Sequence, residues 1–490
     1  MTATKTCWGL GGSTRAAGRR PVLVLPITLK TAMPVQHQLF SARRMFFLCG
    51  SLLAIEAALF LYITAGTYGL IVPLKKPTST DFVSFYAAGS LADAGTPRLA
   101  YDQAAHYAAE QHATQPGIAY NFFYYPPPYL LLCAAFAKLP YIPAFVVFET
   151  VTLGFYCLVV RRILGERGWA ILIPILAFPP VLWTIGVGQN GLLTAGLLGA
   201  ATLLVDRRPL AAGLLFGVLS CKPHFALLVP IALAAGGRWR ALAATAISAL
   251  VFCLVSAGLF GWQTWRDFLV AAATSGNVYT SGRIPFGGFV TPFGGAMLLG
   301  ASPAAAGLVQ AVASATAAGF VAWVWHRNPP LPVRAAGLVS ATLVAVPLAL
   351  FYDLVLAGVA GAWLIRADGE YRLPEWGKLL LAGLYVLCLN PRGIAAAWHL
   401  LIGPIVPMAL AALSALLAMR AAALAPARRR PVRLSAGTTN LTRKALTKPN
   451  RSAVVPATAQ GRPGKYVRPR RSARRLAGSI IAVLDPADHG

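Results

Sequence analysis

Apolar runs of roughly 17–25 residues recur from about residue 45 to residue 420, and each is long enough to cross a bilayer core of about 30 Å. About twelve membrane spans are predicted, near residues 46–68, 142–160, 169–185, 190–205, 209–221, 224–236, 241–260, 304–324, 334–350, 354–366, 378–389 and 399–420. A run of about 13 residues rises only about 20 Å, so the shorter spans are interpreted as helix ends or as helices broken around a cavity. The pattern predicts an all-α polytopic membrane protein.

One set of loops is rich in Lys and Arg, which indicates the cytoplasmic side of a cell (inner) membrane. Its cations are Arg161, Arg162, Arg167, Arg207, Arg208, Arg238, Arg240, Arg327, Arg334, Arg366, Arg372 and Lys378. The basic C-terminal tail falls on the same side, so both termini are predicted to be cytoplasmic. Counting residues 125–140 as a span would invert every later loop. This segment is therefore interpreted as an interfacial or re-entrant helix that starts at its prolines, and the first outer loop runs from about 70 to 141.

The composition agrees with a membrane protein, because 57% of the residues are hydrophobic and only 12% are charged. The net charge of +28 comes mostly from the two ends, which predicts basic flanks facing anionic lipid and argues against nucleic acid as a partner. Three regions are predicted: a basic, disordered N-terminal extension (1–44), a membrane domain (45–420) and a basic, disordered cytoplasmic tail (421–490). The seven scattered Cys residues predict neither a zinc site nor a disulfide framework.

The outer loops collect most of the unusual polar sequence. They contain Asp81, Asp93 and Asp102 of the first loop, "YNFFYYPPP", "GVGQN" at 186–190, "CKPH" at 221–224, the loop 261–303, "FYD" at 351–353 and "NPRG" at 390–393. Polar groups from six separate turns would therefore meet at one membrane surface. This convergence indicates a functional site on the outer face.

Asp81 is the first candidate in that site. In "TSTDFVSFY" it could be a first-turn acid that stabilises a helix whose N-cap is Ser79 or Thr80. Alternatively, it could act as a general base that takes a proton from a hydroxyl nucleophile. The following residues Phe82, Phe85, Tyr86 and Gly89 share one helix face, which could pack on the bilayer or line a lipid groove.

The remaining candidates each have a functional and a structural interpretation. Lys222 could bind a phosphate or extend to the outer interface, and the neighbouring His224 could be a ligand or satisfy a local hydrogen bond. Gln189 and Asn190 could bind an anion at a helix start or simply cap that helix. Asp353 could contact a ligand or be a first-turn acid, and Arg283 and Arg392 could bind a phosphate. Glu56 and Glu149 are acids buried within predicted spans. The aromatic run with Tyr125 could form an interfacial belt or a platform for a sugar or isoprenoid chain.

Several stretches in this order resemble glycosyltransferase family 87: "DFVSFYAAGSLADAGTPRLAYD", "FFYYPPPYLLL", "GVGQNGLLTAGLLGAATLL", "RPLAAGLLFGVLSCKPHFALLVPIAL" and "GRWRAL". The resemblance covers about residues 45–400. It implies a GT-C fold and transfer of a sugar, most commonly mannose, from a polyprenyl-phosphate donor. It also implies that Asp81 is the catalytic base and that Lys222, Gln189 and the outer arginines contact the donor.

This activity fits the residues, because a lipid-linked donor lies in the membrane and its phosphate requires cations. One carboxylate suffices for direct displacement, so inversion at the anomeric carbon is expected, and no cofactor is expected. The outer loops contain no DxD cluster, so no metal is predicted. Two alternatives stay open: a transporter or lipid-linked-sugar flippase, which Glu56 and Glu149 would favour, and a scaffold whose basic tail binds lipid or nucleic acid.

Overall fold

The computed structural model describes residues 42–65, 80–165, 168–398, 400 and 402–428. Its α-helices, numbered in chain order, are α1 (Ala42–Ala65), α2 (Phe82–Asp93), α3 (Gln103–Ala113), α4 (Pro127–Ala137), α5 (Tyr141–Leu164), α6 (Leu172–Leu176), α7 (Pro179–Val187), α8 (Gly191–Leu204), α9 (Pro209–Val218), α10 (Val229–Ala235), α11 (Trp239–Phe260), α12 (Trp262–Thr280), α13 (Pro292–Leu298), α14 (Pro303–Arg327), α15 (Leu331–Ala345), α16 (Val355–Tyr371), α17 (Glu375–Leu387), α18 (Pro391–Trp398) and α19 (Ile402–Arg428). Short 3₁₀ helices lie at Pro97–Tyr101, Trp169–Ile171, Leu219–Cys221, Pro223–Ala226, Phe286–Gly288 and Phe351–Leu354. The described residues contain no β-strand beyond one isolated bridge, so the predicted all-α class is confirmed.

Four of the described helices are long and apolar enough to cross a membrane, namely α5, α11, α14 and the part of α19 from Gly403 to Ala423. The count rises to five if Trp169–Leu176 and Pro179–Val187, which meet at an angle of 67°, form one broken span. Helices also lie over the other predicted spans, and several of them have only 10–17 residues. The apolar helices therefore support a membrane protein, whereas the count of about twelve crossings and the long first outer loop remain predictions.

Prolines explain why the predicted spans 209–221 and 224–236 are broken. Pro223 has no N–H and disfavours helical geometry at the residue before it. Lys222 accordingly has φ −141° and ψ 68°, and only single 3₁₀ turns flank it. The break places the Lys222 side chain among the buried residues rather than along a continuous helix.

The first loop folds against the membrane helices. Helix α4 begins with Pro127 and Pro128 in its first turn, as predicted for the segment 125–140. The predicted apolar face of α2 packs on protein: the Phe82 ring lies 5.4 Å from the Phe145 ring, and the Phe85 ring lies 5.2 Å from the Tyr129 ring. Both phenylalanines are buried, so their rings are covered by protein and not by the bilayer.

Two boundaries differ from the prediction. Residues 261–303 were expected to form a loop, but α12 and α13 lie within them. The α12 sequence is too polar to be recognised as a span, although its apolar positions follow a helical period. Helix α19 continues to Arg428, so residues 421–428 of the predicted disordered tail are helical. The rest of the predicted tail and nearly all of the N-terminal extension lie outside the described residues.

The core centres on α15, where every residue from Val333 to Ala345 is buried. The large rings of Trp325 and Trp363 are fully buried in the same cluster. A second cluster joins α2, α4 and the start of α5.

Helix α8 separates two polar clusters at its opposite ends. Asn190 lies just before its first residue, and Asp206 follows its last turn. Asp206 forms ion pairs with Arg238 (2.9 Å) and with Arg334, two cations of the predicted cytoplasmic loops. Fourteen helical residues rise about 21 Å, so the Asp206 cluster lies far from the Asn190 end.

Candidate functional site

Lys222 and Asp353 form a buried ion pair at the Asn190 end of α8. Lys222 Nζ lies 2.7 Å from Asp353 Oδ1 and donates a second hydrogen bond to Asn190 Oδ1 at 3.1 Å. The side chains of all three residues are buried. The charge on Lys222 is therefore compensated within the protein.

Asp353 also caps the 3₁₀ helix in which it lies. Its second carboxylate oxygen, Oδ2, accepts a hydrogen bond from the Leu350 N–H at 3.0 Å. The structure confirms the first-turn interpretation of Asp353. The pairing of Asp353 with Lys222 was not predicted, and a ligand contact stays a prediction.

The Asp81 carboxylate is held by a side chain from a distant turn. Gln189 Nε2 donates to Asp81 Oδ2 at 2.8 Å, and Tyr125 Oη donates to Gln189 Oε1 at 3.3 Å. Asp81 occupies the N-cap position of α2, but its carboxylate makes no capping hydrogen bond. The first-turn interpretation therefore does not explain where this side chain points.

The "GVGQN" turn has the backbone geometry that brings Gln189 to Asp81. Gly188 has φ +71°, a left-handed conformation that favours glycine. A Cβ at Gly188 would lie 2.9 Å from Phe82 Cβ, so the turn can approach the start of α2 only without a side chain. The Asp81 N–H donates to the Val187 carbonyl at 2.7 Å and joins the two segments.

Burial raises the pKa of Asp81 above its ordinary value, and the Gln189 hydrogen bond and the positive charge of Arg392 act in the opposite direction. Arg392 is exposed on α18, with its guanidinium 6.0 Å from the centre of the Phe351 ring. Arg283 is also exposed, and its charge lowers the pKa of Tyr124 against the larger effect of burial. Neither arginine forms an ion pair with a carboxylate among the described residues.

Two predicted candidates make other contacts. The Tyr86 hydroxyl donates to the Leu139 carbonyl at 2.9 Å, and its ring packs edge-on against Tyr141, so it points toward the start of α5. His224 follows Lys222 closely in the chain, and its ring lies 4.7 Å from that of Phe225. The roles predicted for Tyr86 and His224 in the site therefore stay predictions.

The buried pair His106 and Glu110 on α3 was not among the predicted site residues. His106 Nε2 donates to the Ser84 carbonyl at 3.1 Å, and Glu110 Oε2 accepts from the Asn121 N–H at 3.1 Å. Both side chains are completely buried. Burial, with a smaller contribution from the charge of Asp81, raises the pKa of Glu110 to about 8. The i,i+4 spacing of these two residues on α3, which places them on one helix face, is the sequence feature that could have predicted the pair.

Tyr352 also lies in the site although the sequence did not predict it. Its ring is buried beside Lys222, with Nζ 5.8 Å from the ring centre. The Tyr352 carbonyl accepts from Thr184 Oγ1 at 3.0 Å. Among the described residues, no three His, Cys, Asp or Glu side chains are grouped to hold a metal ion.

The buried acids of the predicted spans lie apart from these contacts. Glu149 is 5% exposed, and neither of its carboxylate oxygens has a hydrogen-bond partner in the described structure. Glu56 is 6% exposed, and its Oε2 is likewise unpartnered there.

The model of glycosyltransferase family 87 matches residues 123–350. The matched segment includes Tyr125, Gln189, Asn190, Lys222, His224 and Arg283, whereas Asp81, Asp353 and Arg392 lie outside it. No curated protein and no solved structure matches the chain.

Proposed function

Because residues 123–350 match the model of glycosyltransferase family 87 and the chain has apolar helices long enough to span a membrane, we propose a specific transfer reaction at its outer face. The donor is a hexose, mannose first among the candidates, linked to a polyprenyl phosphate. The acceptor is a hydroxyl of a lipid or glycan. The observation that carries this proposal is the half-buried Asp81 carboxylate, which accepts a hydrogen bond from Gln189. The positive charge of the exposed Arg392 lowers the pKa of this carboxylate, against the larger effect of burial.

Asp81 is proposed as the general base. It takes the proton of the acceptor hydroxyl while that oxygen attacks the anomeric carbon of the donor sugar. The bond between this carbon and the phosphate oxygen breaks, and polyprenyl phosphate leaves with the bonding electrons. A single displacement of this kind inverts the anomeric configuration.

The donor phosphate is proposed to contact Arg392 and Arg283. Both are exposed, and neither forms an ion pair with a carboxylate among the described residues, so their charges can meet an anionic group. Lys222 already pairs with Asp353 at 2.7 Å, and a second anion would have to compete with that carboxylate. Lys222 is therefore proposed to hold Asn190 and Asp353 in position, while Gln189 and Asn190 shape the sugar site beside Asp81.

A transporter or flippase is the alternative that Glu149 favours, because a buried carboxylate without a partner is typical of proton and substrate pathways. The two functions make different predictions. A transporter would depend on Glu149 and not on Asp81. The transferase depends on Asp81 whether or not Glu149 is ionised.

The deciding experiment measures transfer of radiolabelled mannose from polyprenyl-phosphate-mannose in membranes that contain the full chain. Asp81→Asn keeps the side-chain shape but cannot accept the proton, so transfer should fall by roughly 10²–10⁴-fold at equal protein levels. Glu375→Gln is the control, since it is the same type of change at a surface ion pair with Lys378.

Unchanged transfer in Asp81→Asn would remove Asp81 as the base. Loss of transport of a lipid-linked sugar in Glu149→Gln, with no transfer by wild type, would favour the flippase. Absence of transfer from mannose, glucose and arabinose donors alike would reject a polyprenyl-phosphate-sugar donor.

A further inference from the structure

A row of half-buried aromatic rings runs along one side of the segment before α4. Tyr120, Phe122 and Tyr124 lie on the same side of an extended segment because alternate residues point the same way. Their ring centres are 4.8 Å and 5.5 Å apart, and the rings of Phe122 and Tyr124 are nearly parallel, at 11°. Tyr279 of α12 continues the row, 6.3 Å from Tyr124. These four residues are called the aromatic row.

The aromatic row borders a groove of about 1540 Å³. One part of the groove is apolar and lies between α4, the end of α11 and α12, where Leu131, Ala135, Leu259 and Val270 line it. The other part is formed by Tyr120, Phe122 and Tyr124 together with Asp102. Since α11 is one of the long apolar helices, the apolar part begins at the end of a membrane span. A groove of this kind fits an amphiphile.

The charges of the groove indicate which amphiphile. It contains two cations, and each is paired with a carboxylate: Arg98 Nε lies 2.7 Å from Asp267, and Lys138 Nζ lies 2.7 Å from Asp93. Among the described residues that line it, no cation lacks a carboxylate partner, unlike the surface near Arg283 and Arg392. A lipid phosphate would find no free positive charge here, whereas a neutral, hydroxyl-rich headgroup would find carboxylate oxygens and aromatic faces.

The groove is also connected to Asp81. The Ser84 hydroxyl, one helical turn after Asp81, donates to the Phe122 carbonyl at 3.2 Å. At its other end, the aromatic row reaches Tyr279, whose pKa is raised partly by the charge of Asp353. The segment that carries the row is therefore joined to α2 one helical turn after the proposed base.

We propose that this groove binds the glycan headgroup of a lipid-anchored acceptor, with the sugars on the aromatic row and the alkyl part against α4, α11 and α12. Aromatic faces carry negative charge, and the C–H faces of sugars pack on them. The inference rests on the proposed glycosyltransferase function and adds the class of the acceptor. It places the acceptor in the groove and the donor phosphate beside Arg392.

The first test measures binding without turnover. A thiol is placed in the groove by Ala135→Cys and outside it by Ala273→Cys, because both alanines are exposed and only Ala135 lines the groove. The rate of maleimide labelling at each position is read by mass spectrometry in the full-length protein, with dodecyl glycosides of one to three mannose or glucose units as probes. A sugar-free dodecyl polyether and decaprenyl phosphate serve as the comparison ligands.

We expect the dodecyl glycosides to slow labelling of Ala135→Cys by about tenfold at saturation, increasingly with glycan length, and to leave Ala273→Cys unchanged. Protection by decaprenyl phosphate alone would make the groove a donor-tail site and overturn the proposal. Protection by the polyether as strong as by every glycoside would show an apolar site without glycan recognition, and it would also overturn it.

The second test uses activity. Ala271→Trp fills the groove, whereas Ala273→Trp adds the same ring on the same helix outside it. Ala271→Trp should raise the KM for a glycolipid acceptor by about tenfold and leave the KM for the polyprenyl donor unchanged. A rise in the donor KM alone would contradict the assignment. Because labelling needs no catalysis, it tests binding in the groove even if the proposed transferase reaction is wrong. The failure of the groove proposal and the failure of the proposed function are therefore distinguishable.

Discussion

Lys222 Nζ lies 2.7 Å from Asp353 Oδ1, and this contact joins two residues 131 positions apart. Lys222 is 6% exposed and Asp353 is 2% exposed, so neither charge can be solvated on its own. A buried ion pair contributes little net stability, but the loss of one partner leaves a charge that is costly to bury. The pair therefore explains why a lysine lies at the break between α9 and α10.

Lys222→Met is expected to lower stability by about 3–5 kcal/mol, because Asp353 would remain charged and unpaired. The double change Lys222→Met with Asp353→Leu should recover part of that loss. The measurement is thermal unfolding of the full chain in detergent. If Lys222→Met were as stable as wild type but had a higher KM for the donor, Lys222 would bind the phosphate directly.

Arg392→Gln is expected to move the acidic limb of the pH–activity profile to higher pH. The charge of Arg392 lowers the pKa of Asp81, which burial raises, so removal of that charge lets the pKa rise further. A base must be deprotonated, so activity would then require a higher pH. Transfer is measured from pH 4 to pH 8 at saturating donor, with exposed Arg266→Gln as control. A uniform loss at every pH would assign Arg392 to the phosphate without an effect on Asp81.

Gly188→Ala is expected to reduce both stability and transfer. The backbone at Gly188 has φ +71°, which costs an alanine about 1–2 kcal/mol, and its Cβ would lie 2.9 Å from Phe82 Cβ. The start of α2, and with it Asp81, would have to shift. Gly186→Ala is the matched control, because a Cβ there has no neighbour within 4 Å. Equal transfer by the two variants would show that the close approach at Gly188 is not required.

Glu110 is expected to make stability fall as the pH rises. Burial raises its pKa from an ordinary 4.5 to about 8, so the folded state holds a proton that the unfolded state has released. Its contribution is full below about pH 4.5 and is lost as the pH rises toward about 8. Burial lowers the pKa of His106 from 6.5 to about 4, so the neutral imidazole favours the folded state above pH 6.5. This stabilisation is lost only as the pH falls below 6.5 toward about 4.

The window from pH 6.5 to pH 8 excludes the contribution of His106, and within it the difference between wild type and Glu110→Gln reports Glu110. Wild type should lose thermal stability across it, and Glu110→Gln, which keeps a hydrogen-bond acceptor for Asn121, should lose much less. Glu375→Gln, at the surface, should behave like wild type. Equal slopes in wild type and Glu110→Gln would show that Glu110 is ionised in the folded protein at neutral pH.

The sequence located most of the separate site residues but not their contacts. Asp81, Gln189, Asn190, Lys222 and Asp353 were each chosen as unusual polar residues in outer loops. The alternation of loops between two membrane sides suffices to predict that they share a surface. It cannot predict that Lys222 pairs with Asp353 rather than facing a ligand, because that depends on how α8, α9 and α16 pack.

The sequence by itself determined the helical, membrane-embedded class and the break at Pro223, since apolar run length and proline geometry act locally. It also determined the family resemblance. Only the tertiary structure decided that Gln189 meets Asp81, that Arg392 influences its charge and that α12 forms one wall of the groove. These relations join residues more than a hundred positions apart, and their distances are set by side-chain packing that no local pattern encodes.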